Sequence, residues 1–178
     1  MSIEPDSKDW TWVLERACPE CGLDLAEVDP LEVAGMIRAN AAAWVEVLAR
    51  EGVAVRPAPT VWSALEYGCH VRDVFVLFDA RLHLMLTDDD ARFANWDQDA
   101  TAVADRYGEQ DPAEVSASLA AAAAVLADDF DSVQPDQWTR LGRRSDGATF
   151  TVGSFALYLV HDPVHHLWDV TGLRSTDS

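Results

Sequence analysis

The chain has little basic charge, few cysteines and no long apolar run. Its 178 residues carry 13 lysines and arginines against 31 aspartates and glutamates, a net charge of −18 with neutral histidines. Such a surface repels phosphate backbones and anionic lipids, so we expect neither nucleic-acid nor membrane binding. No segment reaches the roughly 20 apolar residues that a membrane span requires, and residues 1–9 are polar and acidic, unlike a signal peptide. These features predict a soluble cytoplasmic protein.

The three cysteines, Cys18, Cys21 and Cys69, are too few for a disulfide framework. The segment CPECG at residues 18–22 is typical of one metal-binding knuckle of the rubredoxin or zinc-ribbon type. A four-thiolate site needs a second knuckle, which the chain lacks. The glycine after Cys21 excludes the haem-attachment pattern CxxCH, and no strand pattern precedes the pair as in a thioredoxin-type motif. We therefore interpret the segment as a tight turn whose thiols are free or joined in a disulfide, and a metal-bound state stays open.

Composition and periodicity predict a single all-α domain. Apolar residues make up 49% and charged residues 25% of the chain, as in ordinary globular proteins. Apolar spacing and capping signals predict four helices, over about 29–50, 60–87, 111–130 and 151–170. The N-caps are Asp29, Thr60, Asp111 and Thr151. We expect an irregular N-terminal arm over 1–28, a four-helix bundle over 29–172 in which the excursion 91–110 allows a crossover connection, and a polar tail over 173–178.

Histidines on two of these helices form a candidate metal site. His161 and His165 are four residues apart, so they differ by only about 40° around the helix axis and can face one point. This HxxxH spacing suits metal ligation, and His70, midway along the second helix, is the natural third ligand. His166 can only flank such a site, and His83 lies too far along its helix to share it with His70. The alternative is that these histidines are ordinary core residues.

Carboxylates stand one turn away from two of the candidate ligands. Glu66 precedes His70 and Asp169 follows His165, where each can accept a hydrogen bond from the second ring nitrogen and orient the imidazole. The alternative is a set of ion pairs on the helix surface. Pro163 interrupts the backbone hydrogen bonding of the last helix, but the apolar pattern continues across it. We therefore predict a kinked, continuous helix.

Other residues are candidates for the lining of a pocket. Trp96, in the excursion 91–110, either covers the mouth of the metal site or packs on the surface. Asp73 follows the histidine of the second helix by three residues. Arg140, Arg143 and Arg144 form a basic cluster in an acidic chain, which either clamps a carboxylate of the thiol or substrate or pairs with the neighbouring Asp146.

Two stretches resemble the ligand-bearing segments of the DinB-like superfamily, which includes YfiT-like metal hydrolases and bacterial thiol S-transferases. They are WSALEYGCHVRD at residues 62–73 and HDPVHHLWD at residues 161–169. The resemblance covers about residues 29–172. It implies a four-helix bundle with a crossover, often dimeric, and a divalent metal ion, zinc or nickel, held by His70, His161 and His165.

The same resemblance implies a function. Several members of the family join a low-molecular-weight thiol such as mycothiol to an electrophile, and a bound metal ion suits this reaction because it lowers the pKa of a thiol. The chain is therefore expected to be a metal-dependent thiol S-transferase whose partners are a mycothiol-type thiol and a small electrophile. The alternatives are a metal-dependent hydrolase that uses bound water and a non-catalytic metal- or ligand-binding module. The CPECG segment lies outside the common bundle and receives no role from it.

Overall fold

The computed structural model describes residues 10–174 and confirms a bundle of four long helices. They are α1 (Val33–Leu48), α2 (Ala64–Thr87), α4 (Pro112–Asp131) and α5 (Val152–Thr171), with a short α3 (Gln98–Ala104) between α2 and α4. Both α4 and α5 pack against α1 and against α2, and they make little contact with each other. Helices α1 and α2 therefore lie diagonally, as do α4 and α5. The connections 49–63 and 132–151 therefore each cross the bundle between diagonally opposite helices. The excursion 91–110, where the sequence allowed a crossover, joins two neighbouring helices instead.

Side-chain caps set most of the helix starts. Asp111 accepts hydrogen bonds from two backbone amides of α4, and Thr151 caps α5, both as predicted. The predicted cap Thr60 was wrong, because residues 58–61 form a tight turn closed by a backbone hydrogen bond of 3.0 Å. Ser63 is the N-cap of α2 instead, and it forms a capping box with Glu66.

The segment before α1 is mostly irregular and includes three short 3-10 turns. They span Trp10–Leu14, Leu25–Glu27 and Pro30–Glu32, so the first predicted helix is α-helical only from Val33. Two more 3-10 turns, Tyr107–Glu109 and Gln137–Thr139, lie in the connections before and after α4. The first of the five packs on α5, where Val13 is buried.

A three-stranded sheet, which the sequence did not predict, packs against one end of the bundle. Its strands are β1 (Ala91–Phe93), β2 (Leu141–Arg144) and β3 (Thr149–Thr151), with β2 parallel to β1 and antiparallel to β3. Strands of three or four residues are too short to show the alternation that identifies a strand in a sequence. A Cβ atom at Gly142 would lie 2.7 Å from the Met85 sulfur, so glycine allows β2 to approach the end of α2 closely.

The apolar core fills the space between the four long helices. Its largest fully buried side chains include Ile37, Trp44, Phe75, Leu126 and Phe155. Helix α5 runs through Pro163 without a break, as predicted. Within residues 10–174, no helix is long and apolar enough to span a bilayer.

Candidate metal centres

Helix α5 contributes candidate metal ligands to two adjacent clusters. The first, called here the Cys–His cluster, consists of Cys18, Cys21, His161 and His165. The second, called the His–Asp cluster, consists of His70, Asp162 and His166. Within each cluster, the candidate ligand atoms lie within 4.8 Å of one another. The three histidines that were expected to share one metal ion are thereby divided between the clusters. His161 and His165 lie beside the cysteines of the arm, whereas His70 lies beside Asp162 and His166 of α5.

The His–Asp cluster joins α2 to α5. His70 is fully buried, and its Nε2 lies 3.3 Å from Asp162 Oδ1, which in turn lies 3.9 Å from His166 Nε2. His166 Nδ1 donates to Asp169 Oδ2 at 2.8 Å, which fixes the ring and directs Nε2 towards the cluster. Burial acts to raise the pKa of Asp162, but the imidazoles of His70 and His166 outweigh it and hold that pKa below its usual value. The cluster therefore presents two imidazoles and an ionised carboxylate.

This donor set fits a divalent cation. Two histidines and one carboxylate are the protein ligands of several catalytic zinc sites, in which a further coordination position stays open to substrate. Asp162 Oδ1, which lies 3.3 Å from His70 Nε2, is a buried atom that makes no hydrogen bond. A polar atom buried without a hydrogen bond is unfavourable unless another ligand satisfies it.

A cavity of about 120 Å³ lies beside the His–Asp cluster. Asp162 and His166 form part of its wall, as do His161 and His165 of the Cys–His cluster, and Trp10 and Trp96 form other parts. The ring of Trp96 stacks on that of His70, with centroids 5.3 Å apart and planes inclined by 4°. Trp96 Nε1 donates to a threonine hydroxyl of α3 at 2.8 Å, so the indole is held in place. The volume accommodates several water molecules and hence a small reacting group.

Two arginines give this cavity a basic wall. Arg81, which is 5% exposed, donates to the Ala94 carbonyl at 2.7 Å, and no carboxylate in residues 10–174 lies within ion-pair distance of it. Burial, and then the nearby Arg144, lower the pKa of Arg81 to about 10, so it is still charged at neutral pH. Arg144 donates to Asp146 at 2.9 Å and to the Tyr158 hydroxyl at 3.0 Å.

Of the residues that the sequence proposed as lining a pocket, two line this cavity and the others lie outside it. Trp96 and Arg144 do line the cavity. Arg143 lies outside it, where its Nε donates to Asp90 at 2.6 Å. Asp73 also lies outside it and accepts a hydrogen bond from the Tyr107 hydroxyl.

The two carboxylates proposed to orient ligands also differ in their surroundings. Glu66 Oε2 accepts hydrogen bonds from Arg56 Nε and from the Ser63 amide, both at 2.8 Å, so this carboxylate serves the start of α2. Burial acts to raise the pKa of Glu66, but the hydrogen bonds from Arg56 outweigh it and keep the group ionised. Asp169 does contact imidazoles, at 2.8 Å from His166 Nδ1 and 4.0 Å from His165 Nε2.

The Cys–His cluster joins the arm to α5 and is more deeply buried. Cys18 Sγ lies 3.6 Å from His165 Nδ1, across 147 residues of sequence. All four side chains are buried, and His161 Nε2 makes no hydrogen bond. Burial, and then His165, lower the pKa of His161 to about 4, so its imidazole is neutral at pH 7.

Two sequence signals point towards these clusters. The spacing of four residues that links His161 to His165 links Asp162 to His166 equally well. The CxxC segment together with HxxxH matches the ligand spacing of Cys2His2 zinc sites. The sequence did not predict this pairing, because the two halves are far apart in the chain.

A third group of titratable residues lies on the opposite, more exposed side of α2. The carboxyl groups of Asp79 on α2 and Asp129 on α4 face each other, and His83 Nε2 lies 3.0 Å from Asp129 Oδ2. The His83 side chain is 58% exposed, as expected for a histidine remote from the candidate site.

Comparisons with known proteins assign the chain to a family. Residues 36–170 match the family model of the DinB superfamily, a range that contains the His–Asp cluster but not Cys18 or Cys21. No curated protein sequence gives a significant match. Among solved structures, the chain is similar to YfiT from Bacillus subtilis, described as a probable metal-dependent hydrolase with an unusual four-helix bundle topology. The TM-score is 0.68 at 17% identity, over 96% of this chain and 91% of that one, which shows a shared fold. Since the family model spans most of its length, the chain belongs to the DinB superfamily.

Proposed function

We propose that the protein is a metal-dependent enzyme that transfers a low-molecular-weight thiol of the mycothiol type to a small electrophile. The observation that carries this proposal is the His–Asp cluster, which offers three ligand groups within 4.8 Å of one another and of which Asp162 and His166 line a cavity. A site with three protein ligands beside a cavity leaves room for a reactant, as catalytic sites do.

His70, Asp162 and His166 are the residues that would hold the cation, and their donor types suit zinc or nickel. When bound, such a cation would lower the pKa of a thiol or of a water molecule that enters the cavity. Asp169 acts as a positioning residue, because its hydrogen bond fixes the ring of His166. Trp96 acts in the same way on His70 through ring stacking.

Arg81 indicates the chemical class of the electrophile. A buried cation without a carboxylate partner is costly, and a ligand anion that reaches it removes that cost. A guanidinium binds a carboxylate through two parallel hydrogen bonds. We therefore expect the electrophile, or the thiol, to carry a carboxylate that is directed towards Arg81 and Arg144.

Thiol consumption tests the proposal. Metal-free protein is reloaded with Zn²⁺ or Ni²⁺ and given mycothiol with a panel of electrophiles, including activated alkenes, epoxides and alkyl halides that carry a carboxylate. Thiol loss should require the metal ion and should fall at least about 100-fold in His166→Ala, as expected when a ligand is removed. His83→Ala, which changes an exposed histidine remote from the cavity, should retain activity.

Two different results of this assay would overturn the proposal. Turnover of esters or amides without any thiol would show a hydrolase, the activity that the description of YfiT favours. Stoichiometric metal binding without turnover of any substrate would show a metal- or ligand-binding module.

The role of Arg81 has its own test. Arg81→Gln should raise KM for a carboxylate-bearing electrophile by about 10- to 100-fold, the loss expected for one charge-assisted hydrogen-bonded pair, and should leave KM for its neutral amide unchanged. Arg143→Gln is the matched control, because this arginine lies outside the cavity. Equal effects on the acid and the amide would rule out recognition of the carboxylate.

A further inference from the structure

We propose that the Cys–His cluster is a second metal site, a closed zinc site of the Cys2His2 type that fastens the N-terminal arm to helix α5. Cys18 and Cys21 supply two thiolates from the arm, and His161 and His165 supply two imidazoles from α5. The site shares no residue with the His–Asp cluster, although its two histidines line the same cavity, and the proposal does not depend on the catalytic function.

The geometry matches tetrahedral zinc. Bonds of about 2.3 Å to sulfur and 2.0–2.1 Å to nitrogen place neighbouring ligand atoms about 3.3–3.8 Å apart around a tetrahedral ion. Cys18 Sγ and His165 Nδ1 are already 3.6 Å apart, and all four candidate atoms lie within 4.8 Å of one another. Only a small contraction separates this arrangement from a complete coordination shell.

An independent observation points to a ligand at the centre of the cluster. His161 is 4% exposed, and its Nε2 is buried without a hydrogen-bond partner. A buried imidazole nitrogen that makes no hydrogen bond is destabilising, and a metal ion is a partner that satisfies it. The nitrogen is deprotonated in the neutral imidazole tautomer that a metal ion binds.

The backbone of the knuckle is already shaped for ligation. Gly22 adopts a left-handed φ of +79°, and its amide donates to the Cys18 carbonyl at 2.9 Å, which turns both cysteines to the same side. The other ring nitrogen of His165, Nε2, lies 3.5 Å from Glu20 Oε2 within the same turn. A carboxylate at this position orients a metal-ligating histidine and fixes its tautomer.

The number and type of ligands favour a structural ion. Four protein ligands leave no position for substrate, and sulfur with imidazole nitrogen suits Zn²⁺ rather than Ca²⁺ or Mg²⁺. Binding releases the two thiol protons to the solvent, and no electron is transferred. The ion holds the arm in place, and with it Trp10, which contacts both histidine rings and lines the neighbouring cavity.

Cobalt substitution of the full, untagged chain tests the proposal. Co²⁺ bound to thiolates gives a near-ultraviolet sulfur-to-metal charge-transfer absorption that histidine and carboxylate ligands do not give. The wild-type chain should show this absorption. The Cys18→Ser/Cys21→Ser variant should lose the absorption entirely, together with one cation per chain.

Two control variants show which residues give rise to the absorption. Cys69→Ser changes a cysteine that is equally buried but lies on α2 outside the cluster, so the absorption should persist. His70→Ala/His166→Ala should also keep it, while losing the cation of the proposed catalytic site.

The proposal is overturned by a wild-type chain that shows no charge-transfer absorption, or by absorption that survives loss of both cysteines. The alternative is that Cys18 and Cys21 form a redox pair. In that case the protein would take up no metal, and its mass would be two hydrogens lower because of a Cys18–Cys21 disulfide. If the double variant does not fold, X-ray absorption of the wild-type zinc protein decides. Two sulfur and two nitrogen neighbours support the site, and a shell without sulfur refutes it.

Discussion

Replacement of Asp169 by asparagine tests whether the His–Asp cluster is a metal site. The carboxylate accepts a hydrogen bond from His166 Nδ1 at 2.8 Å, and it thereby holds the imidazole with Nε2 directed towards Asp162 and His70. Asparagine keeps the shape but removes the charge that strengthens this bond and raises the basicity of the ring. We therefore expect weaker cation binding without loss of the fold.

The magnitude follows from the contact. Loss of the carboxylate partner of a metal-ligating histidine weakens metal affinity by about 10- to 100-fold. That factor corresponds to about 1.4–2.7 kcal/mol of binding free energy. Competition with a chelator of known affinity measures it. The cobalt charge-transfer absorption reports the Cys–His cluster separately, and total bound cobalt gives the remainder.

Glu20→Gln is the matched control, because Glu20 contacts His165 and not the His–Asp cluster. It should weaken binding at the Cys–His cluster alone. Asp169 also lies 4.0 Å from His165 Nε2, so a smaller effect there is expected from Asp169→Asn. Unchanged affinity at the His–Asp cluster in Asp169→Asn would refute the reasoning, as would a loss confined to the Cys–His cluster.

Three further predictions concern the stability of the bundle. Burial, and then the opposing carboxyl of Asp129, raise the pKa of Asp79 from 3.8 to about 6, so this group destabilises the folded state increasingly as pH rises through that range. Asp79→Asn should therefore raise the free energy of unfolding by about 1–3 kcal/mol at pH 8, with no gain at pH 3.5, by urea denaturation. Gly142→Ala should cost about 1–3 kcal/mol in the same assay through its clash with Met85, and an unchanged midpoint would contradict the packing of β2 on α2. Tyr107→Phe should cost about 1–2 kcal/mol because it removes a donor to the half-buried carboxylate of Asp73, and a neutral result would show that water replaces it.

The sequence predicted the bundle well because the signals that define it are local. Aspartate followed by proline marked the start of α4, and Thr151 marked that of α5, since each cap acts on amides two or three residues away. The continuity of α5 across Pro163 followed from apolar spacing alone. The sheet escaped prediction because β1 and β2 pair across about 50 residues, and neither strand is long enough to show a period.

The division of the candidate ligands between two clusters was not predicted, for a different reason. Helical spacing fixes which residues of α5 share a direction, but not which direction faces α2. His161 with His165 and Asp162 with His166 satisfy the same spacing, and only the packing of α5 between the arm and α2 distinguishes them. The position of the arm depends on contacts such as Cys18 with His165, which no local pattern reveals.

The two clusters alternate along α5, so we expect cation binding at one to affect the other. His161 and Asp162 are consecutive, as are His165 and His166, and each neighbour belongs to a different cluster. The helix is one rigid body, so a small rotation that tightens one set of ligands displaces the other. Cation binding at one cluster that moves α5 must change the affinity of the second cluster, and thermodynamic reciprocity makes the factor equal in both directions. A cation bound to the Cys–His cluster would in this way change the metal affinity of the His–Asp cluster.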